Sequence, residues 1–281
     1  MSKRNPLNLS SAPLKACADL MRQVSYRHRI HQVFADFCEM SAISISNAVD
    51  IGRREAREAR YLQIASRYER SELEQFPRML AHLVEGLEAG PCDFLGELFM
   101  GLELGNHWVG QFFTPYPVAS MMARMNASHL TPEAVHELGG FVTVNEPACG
   151  AGGMVIAFAE ALQSQGVNYQ RCMHATLQDL DVTAVHMAYL QASLMYVPAI
   201  VIQGNTLALE ERDHWVTPAH VLGGWDRKLA RRAAAHRAAA AAYTEAAPAA
   251  PAEPLVPSQE LAVARDRIAV RRLSSDQLAL F

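Results

Sequence analysis

Residues 145–153 read Asn-Glu-Pro-Ala-Cys-Gly-Ala-Gly-Gly, and they limit the fold more than any other stretch of the chain. Ahead of them stands an apolar run, Phe141-Val142-Thr143-Val144, that suits a buried strand. Behind them Met154 to Leu162 is a strong helix former without Gly or Pro. Strand, glycine turn and helix in that order bring backbone close to a cofactor at the carboxyl edge of a parallel sheet. Gly150, Gly152 and Gly153 supply absent side chains and permissive torsions. Glu146 sets an acid before the turn, where it can meet a cationic or amino group. The dinucleotide pattern is excluded, because its third glycine is missing and Pro-Ala-Cys leads in.

Two more strand signals follow. His174 to Leu180 reads as a second strand and Thr183 to Tyr196 as its helix. Ala199 to Gln203 is a short apolar third strand that ends at Gly204. Units of this kind make right-handed parallel crossovers, so the strands holding Val142 and Ile200 should run the same way. The predicted class is α/β, a short Rossmann-like sheet with helices on both faces and a helical N-terminal region. After Asn205 the alternation stops, and Ala208 to Trp225 is polar.

Upstream the texture is helical from about Leu14 to Leu87. Val33, Phe34, Phe37 and Met40 recur at helical spacing, as do Leu73, Phe76, Leu80, Leu83 and Leu87. Pro77 marks a helix start or bend in the second set. Phe94 to Leu104 and Val118 to Asn126 read as helices, and Thr131-Pro132-Glu133 as a capped helix start. Asp226 to Ala242 is basic, alanine-rich and able to form a helix, and Glu245 to Pro257 reads as an Ala/Pro-rich linker. Three regions are expected: helical, 1–105; cofactor-binding, 106–225; and a flexible basic tail, 226–281.

The formal charge of −4 gives no global basic signature, so nucleic acid must be met by local patches. Arg22, Arg27, His28, Arg29 and His31 form one; Arg227, Lys228, Arg231, Arg232 and Arg237 form another. Five cysteines without paired spacing, and no recognisable signal peptide, predict reduced thiols and a cytoplasmic protein. No apolar run approaches the roughly 20 residues of a membrane span.

The glycine run resembles the S-adenosylmethionine loop of DNA adenine N6-methyltransferases. It is most similar to the modification subunits of type I restriction systems, where it reads roughly Asp-Pro-Ala-Cys-Gly-Thr-Gly-Gly. Gly110 to Pro115 (Gly-Gln-Phe-Phe-Thr-Pro), with Val118 and Met121-Met122, resembles the segment set against the methionine part of the cofactor. Gln178-Asp179-Leu180-Asp181 and Gly204-Asn205-Thr206-Leu207 resemble the next two strand ends. The likeness covers about residues 92–210. It implies S-adenosylmethionine as cofactor, with Pro147, Ala148, Gly150 and Gly152 forming its loop. Glu146 would lie near the methionine amino group, with Thr114 and Pro115 covering that end. Asp179 would accept from the ribose hydroxyls, and Asn205, where the family usually has Asp, would pair with the adenine ring. DNA and a partner subunit or second copy are the implied partners.

The family's catalytic tetrapeptide is Asn or Asp, Pro, Pro, then Tyr or Phe, and it occurs nowhere in the chain. Its nearest counterpart is Thr217-Pro218-Ala219-His220, which makes Thr217, Pro218 and His220 the candidate acceptor residues. Two functions therefore stand. One is an S-adenosylmethionine-dependent DNA adenine N6-methyltransferase, orphan or associated with restriction and modification. The other is an inactive relative that binds cofactor, DNA or a partner. Asp213, His214 and His220 lack further ligands at metal spacing, so no metal site is predicted. Trp215 and Trp225 could stack a base, but pinning their segment to the core is favoured.

Overall fold

The computed structural model describes residues 9–104, 113–246 and 277–279, with side chains to residue 240. Gly110 to Phe112, the linker from residue 247, and Leu280-Phe281 lie outside the described residues.

The three expected strands are present as β1 (Val142–Glu146), β2 (Met173–Asp179) and β3 (Ala199–Asn205). β1 pairs with β2 in parallel, Val142 opposite Met173, and β2 pairs with β3 in parallel, Ala175 opposite Ala199. The strands holding Val142 and Ile200 therefore run the same way, as the crossover rule requires. Two further strands complete the order β4-β3-β2-β1-β5. β5 (Gln277–Ala279) lies parallel to β1 on its other side.

After Asn205, where the alternation of strands and helices stops in the sequence, the polar segment holds a further strand, β4 (Glu210–Val216). It returns antiparallel along β3, Asn205 opposite Glu210 and Ile200 opposite Val216. Its sequence, Glu-Glu-Arg-Asp-His-Trp-Val, buries only Trp215. An edge strand of this kind is charged and lacks apolar alternation, so the pattern that reveals buried strands is missing.

The connections are helical. α1 (Ala12–Val24), α2 (Ile30–Ser46), α3 (Arg54–Ala65), α4 (Arg70–Leu73), α5 (Gln75–Glu88) and α6 (Phe94–Gly101) form the N-terminal region. α7 (Tyr116–Ala127) and α8 (Pro132–Glu137) lead to β1. Thr131 caps α8 as its sequence predicts, accepting from Ala134 N at 3.2 Å. α9 (Gly153–Ser164) and the short α10 (Tyr169–Cys172) join β1 to β2. α11 (Val182–Leu194) joins β2 to β3. Val142, Val144, Met173, Ala175, Leu177 and Val201 meet α9 and α11 in one core. The opposite face also carries helices, as expected. Among the described residues it is covered by α12 (Pro218–Leu222) and the start of α13 (Trp225–Ala246), at the end where the parallel strands begin.

The basic stretch from Asp226 is helical to residue 246, as its alanine-rich sequence allows. Trp225 anchors it, 1% exposed, edge-on to Phe141 at 5.1 Å and tilted on His174 at 5.3 Å. Lys228 and Arg232 add cation–π contacts on Trp225 and Phe141, at 4.2 and 3.6 Å. Both tryptophans of this region are core pins, since Trp215 packs on His186 and Tyr189 of α11.

A boundary near residue 105 does not separate two cores. Ala42 and Ile43 of α2 belong to the sheet core, while Ala151, Met187 and Leu190 belong to the helical one. All five cysteines carry free thiols, in keeping with the reduced state expected. No described helix is long and apolar enough to cross a membrane.

Candidate cofactor site

The carboxyl ends of β1, β2 and β3 bring Glu146, Asp179 and Asn205 to one edge. β2 and β5 flank β1 on opposite sides, so the chain order reverses at β1. In open α/β sheets that reversal opens a ligand crevice at the carboxyl edge. The glycine loop lies at that edge and is stitched to the end of β2 and to the turn after β3. Cys149 N donates to Gln178 O at 2.9 Å, and Gly150 N to the Asp179 carboxylate at 2.8 Å. Thr206 Oγ1 donates to Pro147 O at 2.7 Å.

Two glycines of the loop are required by geometry. Gly150 has φ +53° and Gly152 φ +89°, in the left-handed region that side chains disfavour. A Cβ on Gly150 would stand 2.8 Å from the Phe113 ring, so Phe113 occupies that space. Phe113 in turn packs on Phe99 of α6 at 5.0 Å. Thr114 and Pro115 follow it on the surface, exposed. Among the described residues of the Gly110–Pro115 motif, Phe113 touches the loop.

Glu146 is the least satisfied group at this edge. It is fully buried; Oε1 accepts from Ala148 N at 3.3 Å, and Oε2 has no partner. Desolvation, and then the nearby Asp179, push its carboxyl up to about 7. A buried carboxylate oxygen without a donor is costly, and an ammonium group is the partner it lacks. Asp179 is half-buried, and burial raises its carboxyl too. Its oxygens already accept from Gly150 N and, at 2.9 Å, Asp181 N. Asp179 therefore holds the loop, and a ribose hydroxyl would use its remaining lone pairs. Asn205 turns its Oδ1 to Ala208 N at 3.1 Å, which caps the hairpin and leaves the amide donors. Pro147 is half-buried and Ala148 exposed on the crevice side of the turn. Cys149 is buried against the loop and its thiol pushed well up by desolvation, which suits an inert filler.

The acceptor candidates stand elsewhere. Because β4 runs back along β3, Thr217 lies beside Ala199, at the start of β3. Six residues of strand, about 20 Å, separate that edge from Asn205. Thr217 is fully buried and its hydroxyl is used: Oγ1 accepts from Ala199 N at 2.9 Å and donates to Val197 O at 2.8 Å. Pro218 is the first residue of α12, which Thr217 caps. His220 is 1% exposed, with Nδ1 2.9 Å from His174 Nε2 and Nε2 3.0 Å from Asp226. Burial, with His220 beside it, holds His174 neutral by lowering its pKa to about 3. Thr217, Pro218 and His220, the candidate acceptor residues, therefore do not gather with the glycine loop. They form the joint that fixes β4, α12 and α13 to the sheet.

His214 faces Arg53, away from His220, and no group of three His, Cys, Asp or Glu gathers at metal spacing among the described residues. Sequence reasoning missed Asp93 and Gln191. Both are buried and both bond into the region of the glycine loop. A Gln following the apolar run Met187 to Leu190 was the available signal.

Parallel order, carboxyl-edge glycine loop and buried acid define a nucleotide-cofactor fold of the Rossmann-like class. The family model for N-6 DNA Methylase matches residues 103–220, less than half of the chain. The match spans α7 to α12 and leaves out α1 to α6 and α13. Comparison with curated proteins returned no match. Among solved structures, the chain is similar to a protein assigned as a class I S-adenosylmethionine-dependent methyltransferase from Listeria monocytogenes. Identity is 15% and the TM-score 0.40, over 70% of this chain and 55% of that one. It is also similar to the methyltransferase subunit of a type I restriction-modification system from Streptococcus thermophilus. There identity is 13% and the TM-score 0.34, over 69% of this chain and 58% of that one. The chain thus spans less than two thirds of either protein. At those scores neither likeness adds to what strand order and register establish.

Proposed function

We propose that the protein binds S-adenosylmethionine at the carboxyl edge of β1, β2 and β3, as the cofactor-holding part of a DNA adenine N6-methylation system. The unpartnered Glu146 oxygen beneath the glycine loop carries this reading, because a ligand amino group supplies the donor it lacks. The residues fit the cofactor elsewhere too. Gly150 and Gly152 leave backbone open to it, and Asp179 and Asn205 retain lone pairs and amide donors for its nucleoside. When bound, the cofactor supplies a methyl group on a sulfonium centre, open to in-line attack by an amino nitrogen. The chain's own task is to orient it and keep Glu146 ionised against it.

Acceptor chemistry is the other half. Adenine's amino group needs two acceptors and a stacking ring. The described residues at the cofactor edge offer no such tetrapeptide, and Thr217 to His220 lie at the opposite edge. We therefore place the acceptor residues on a partner subunit. The competing reading, a self-sufficient methyltransferase, draws on the family match and predicts methyl transfer to DNA by the purified chain.

Calorimetry with S-adenosylmethionine tests the first half. Asp179→Ala should weaken binding by about 1–3 kcal/mol through lost charged hydrogen bonds. The variant also frees Gly150 N, so a second arm uses a cofactor analogue lacking a ribose hydroxyl. That analogue should bind the wild type less well and the variant no differently. Equal penalties in both proteins would remove Asp179 from the ribose site and leave it a loop anchor.

DNA contact is expected to depend on salt. The Arg22–His31 patch is largely neutralised, since Arg27 pairs with Glu69, and His28 lies 3.3 Å from Glu72. On α13, Arg232 bonds to the Leu138 and Phe141 carbonyls, while Arg231 and Arg237 are exposed. Replacing Arg231 and Arg237 with glutamine should lower the salt slope of DNA binding by about two, near one per phosphate contact. An unchanged slope and affinity would make the helix a solvated surface. α13 starts from the edge opposite the glycine loop, so DNA held there is not thereby delivered to the cofactor.

A further inference from the structure

We propose that Gln191 of α11, held by Asp93, is a positioning residue that sets the shape of the glycine loop for the cofactor. The inference rests on the cofactor reading above and adds the device that maintains the site. The Gln191 side chain is fully buried. Its Nε2 donates to Ala151 O at 2.8 Å and to Asp93 Oδ1 at 2.9 Å. Its Oε1 accepts from Leu95 N at 3.0 Å. One carboxamide thus joins three elements: α11, the first turn of α6, and the loop between β1 and α9.

Ala151 sits between the two positive-φ glycines, Gly150 and Gly152. The peptide that follows it is held at both ends. Its carbonyl accepts from Gln191, and its N–H, on Gly152, donates to Cys149 O at 2.8 Å. Gly152 on its far side imposes no Cβ barrier, which makes this peptide cheaper to rotate. A fixed outside donor is what restrains it. Asp93 in turn orients the donor. Its Oδ1 accepts from both Gln191 Nε2 and Gly96 N, the latter at 2.9 Å, and so caps α6. Its carboxylate also fills the space at Gly153, where an added Cβ would lie 2.9 Å from Oδ2. The acid therefore rests against the positive end of α9, which opposes the destabilisation of a buried charge.

A packing role alone would lower stability and leave the folded loop unchanged; a positioning role alters the loop in the folded protein. Gln191→Met keeps the volume and removes every hydrogen bond. Gln191→Asn keeps the amide and shortens its reach. Asp93→Asn keeps an acceptor toward Gly96 and Gln191. Hydrogen exchange at the Gly152 amide and calorimetry with S-adenosylmethionine are read on the full chain, below each variant's melting temperature. Gln191→Met and Gln191→Asn should speed Gly152 exchange at least tenfold, with β2 amides unchanged. Both should weaken cofactor binding about tenfold, and Asp93→Asn should stay within about twofold of wild type. If Gln191→Met does not fold, the same two readouts on Gln191→Asn decide. Folded variants with wild-type Gly152 exchange and affinity would overturn the proposal. Faster Gly152 exchange in a protein whose wild type binds no cofactor would instead sink the cofactor reading and leave the restraint standing.

Discussion

Replacing Glu146 with glutamine should flatten the pH dependence of stability and weaken S-adenosylmethionine binding in the same protein. The first effect follows from a carboxyl whose folded-state pKa stands at about 7, against 4.5 for the unperturbed group. Between those values the folded chain holds a proton that the unfolded chain has released. Stability from this group is therefore greatest below pH 4.5, falls as pH rises toward 7, and stays reduced above it. The span of about 2.5 pH units corresponds to about 3 kcal/mol. Relative to wild type, Glu146→Gln should gain about that much between pH 4.5 and pH 8, in denaturant titrations of the ligand-free chain. Asp179 is also raised by burial, so Asp179→Asn serves as the control for its share.

The cofactor reverses the effect. A cationic amino group beside Glu146 favours the ionised form, so binding below pH 7 must expel a proton. Affinity in the wild type should rise by up to about tenfold per pH unit from 5 to 7, then level off. Glu146→Gln should bind weakly, with no such rise. Calorimetry in two buffers of different ionisation enthalpy would show the released proton directly. Proton-neutral binding at pH 6, with an affinity equal to that of the variant, would put the amino group elsewhere.

What the sequence revealed and what it hid divide along physical lines. Strands whose inward positions are buried carry apolar residues there, so β1 and β3 were legible from Val142 and Val144 and from Ala199 to Ile202. The glycine loop was legible because positive φ and close approach leave only glycine at Gly150 and Gly152. β4 was not, because an edge strand with one inward residue shows no period. Its direction was hidden for another reason. The tight return at Thr206 to Leu209 makes β4 antiparallel, and that turn alone carries Thr217 to the far edge of the sheet. Order along the chain placed Thr217 to His220 after the third strand, where the family's acceptor residues stand. Topology, which order does not encode, removed them from the site. Asp93 and Gln191 escaped because a single polar residue amid apolar neighbours reads as a flaw in a helix until its partners are known.

The purified chain should therefore transfer no methyl group to DNA adenine, and Thr217→Val should fail by unfolding and not by chemistry. Removing the hydroxyl leaves Ala199 N and Val197 O without partners between fully buried residues, and uncaps α12. Each orphaned buried group costs about 1–3 kcal/mol, so the loss should be about 3 kcal/mol or more. In a chain of this size that lowers the melting temperature by roughly 5–10 °C. Cofactor affinity, measured well below the transition, should stay at the wild-type value, because the glycine loop is on the other edge. His220→Ala should behave alike, since it breaks the line from His174 to Asp226 that seats α13. Supplying a partner subunit that carries an Asn-Pro-Pro-aromatic segment is what should restore transfer. Suppose instead that the purified chain methylates DNA, and that Thr217→Val abolishes turnover with its melting temperature unchanged. Thr217 would then act at a reacting centre, and β4 would have to leave β3 for it to get there.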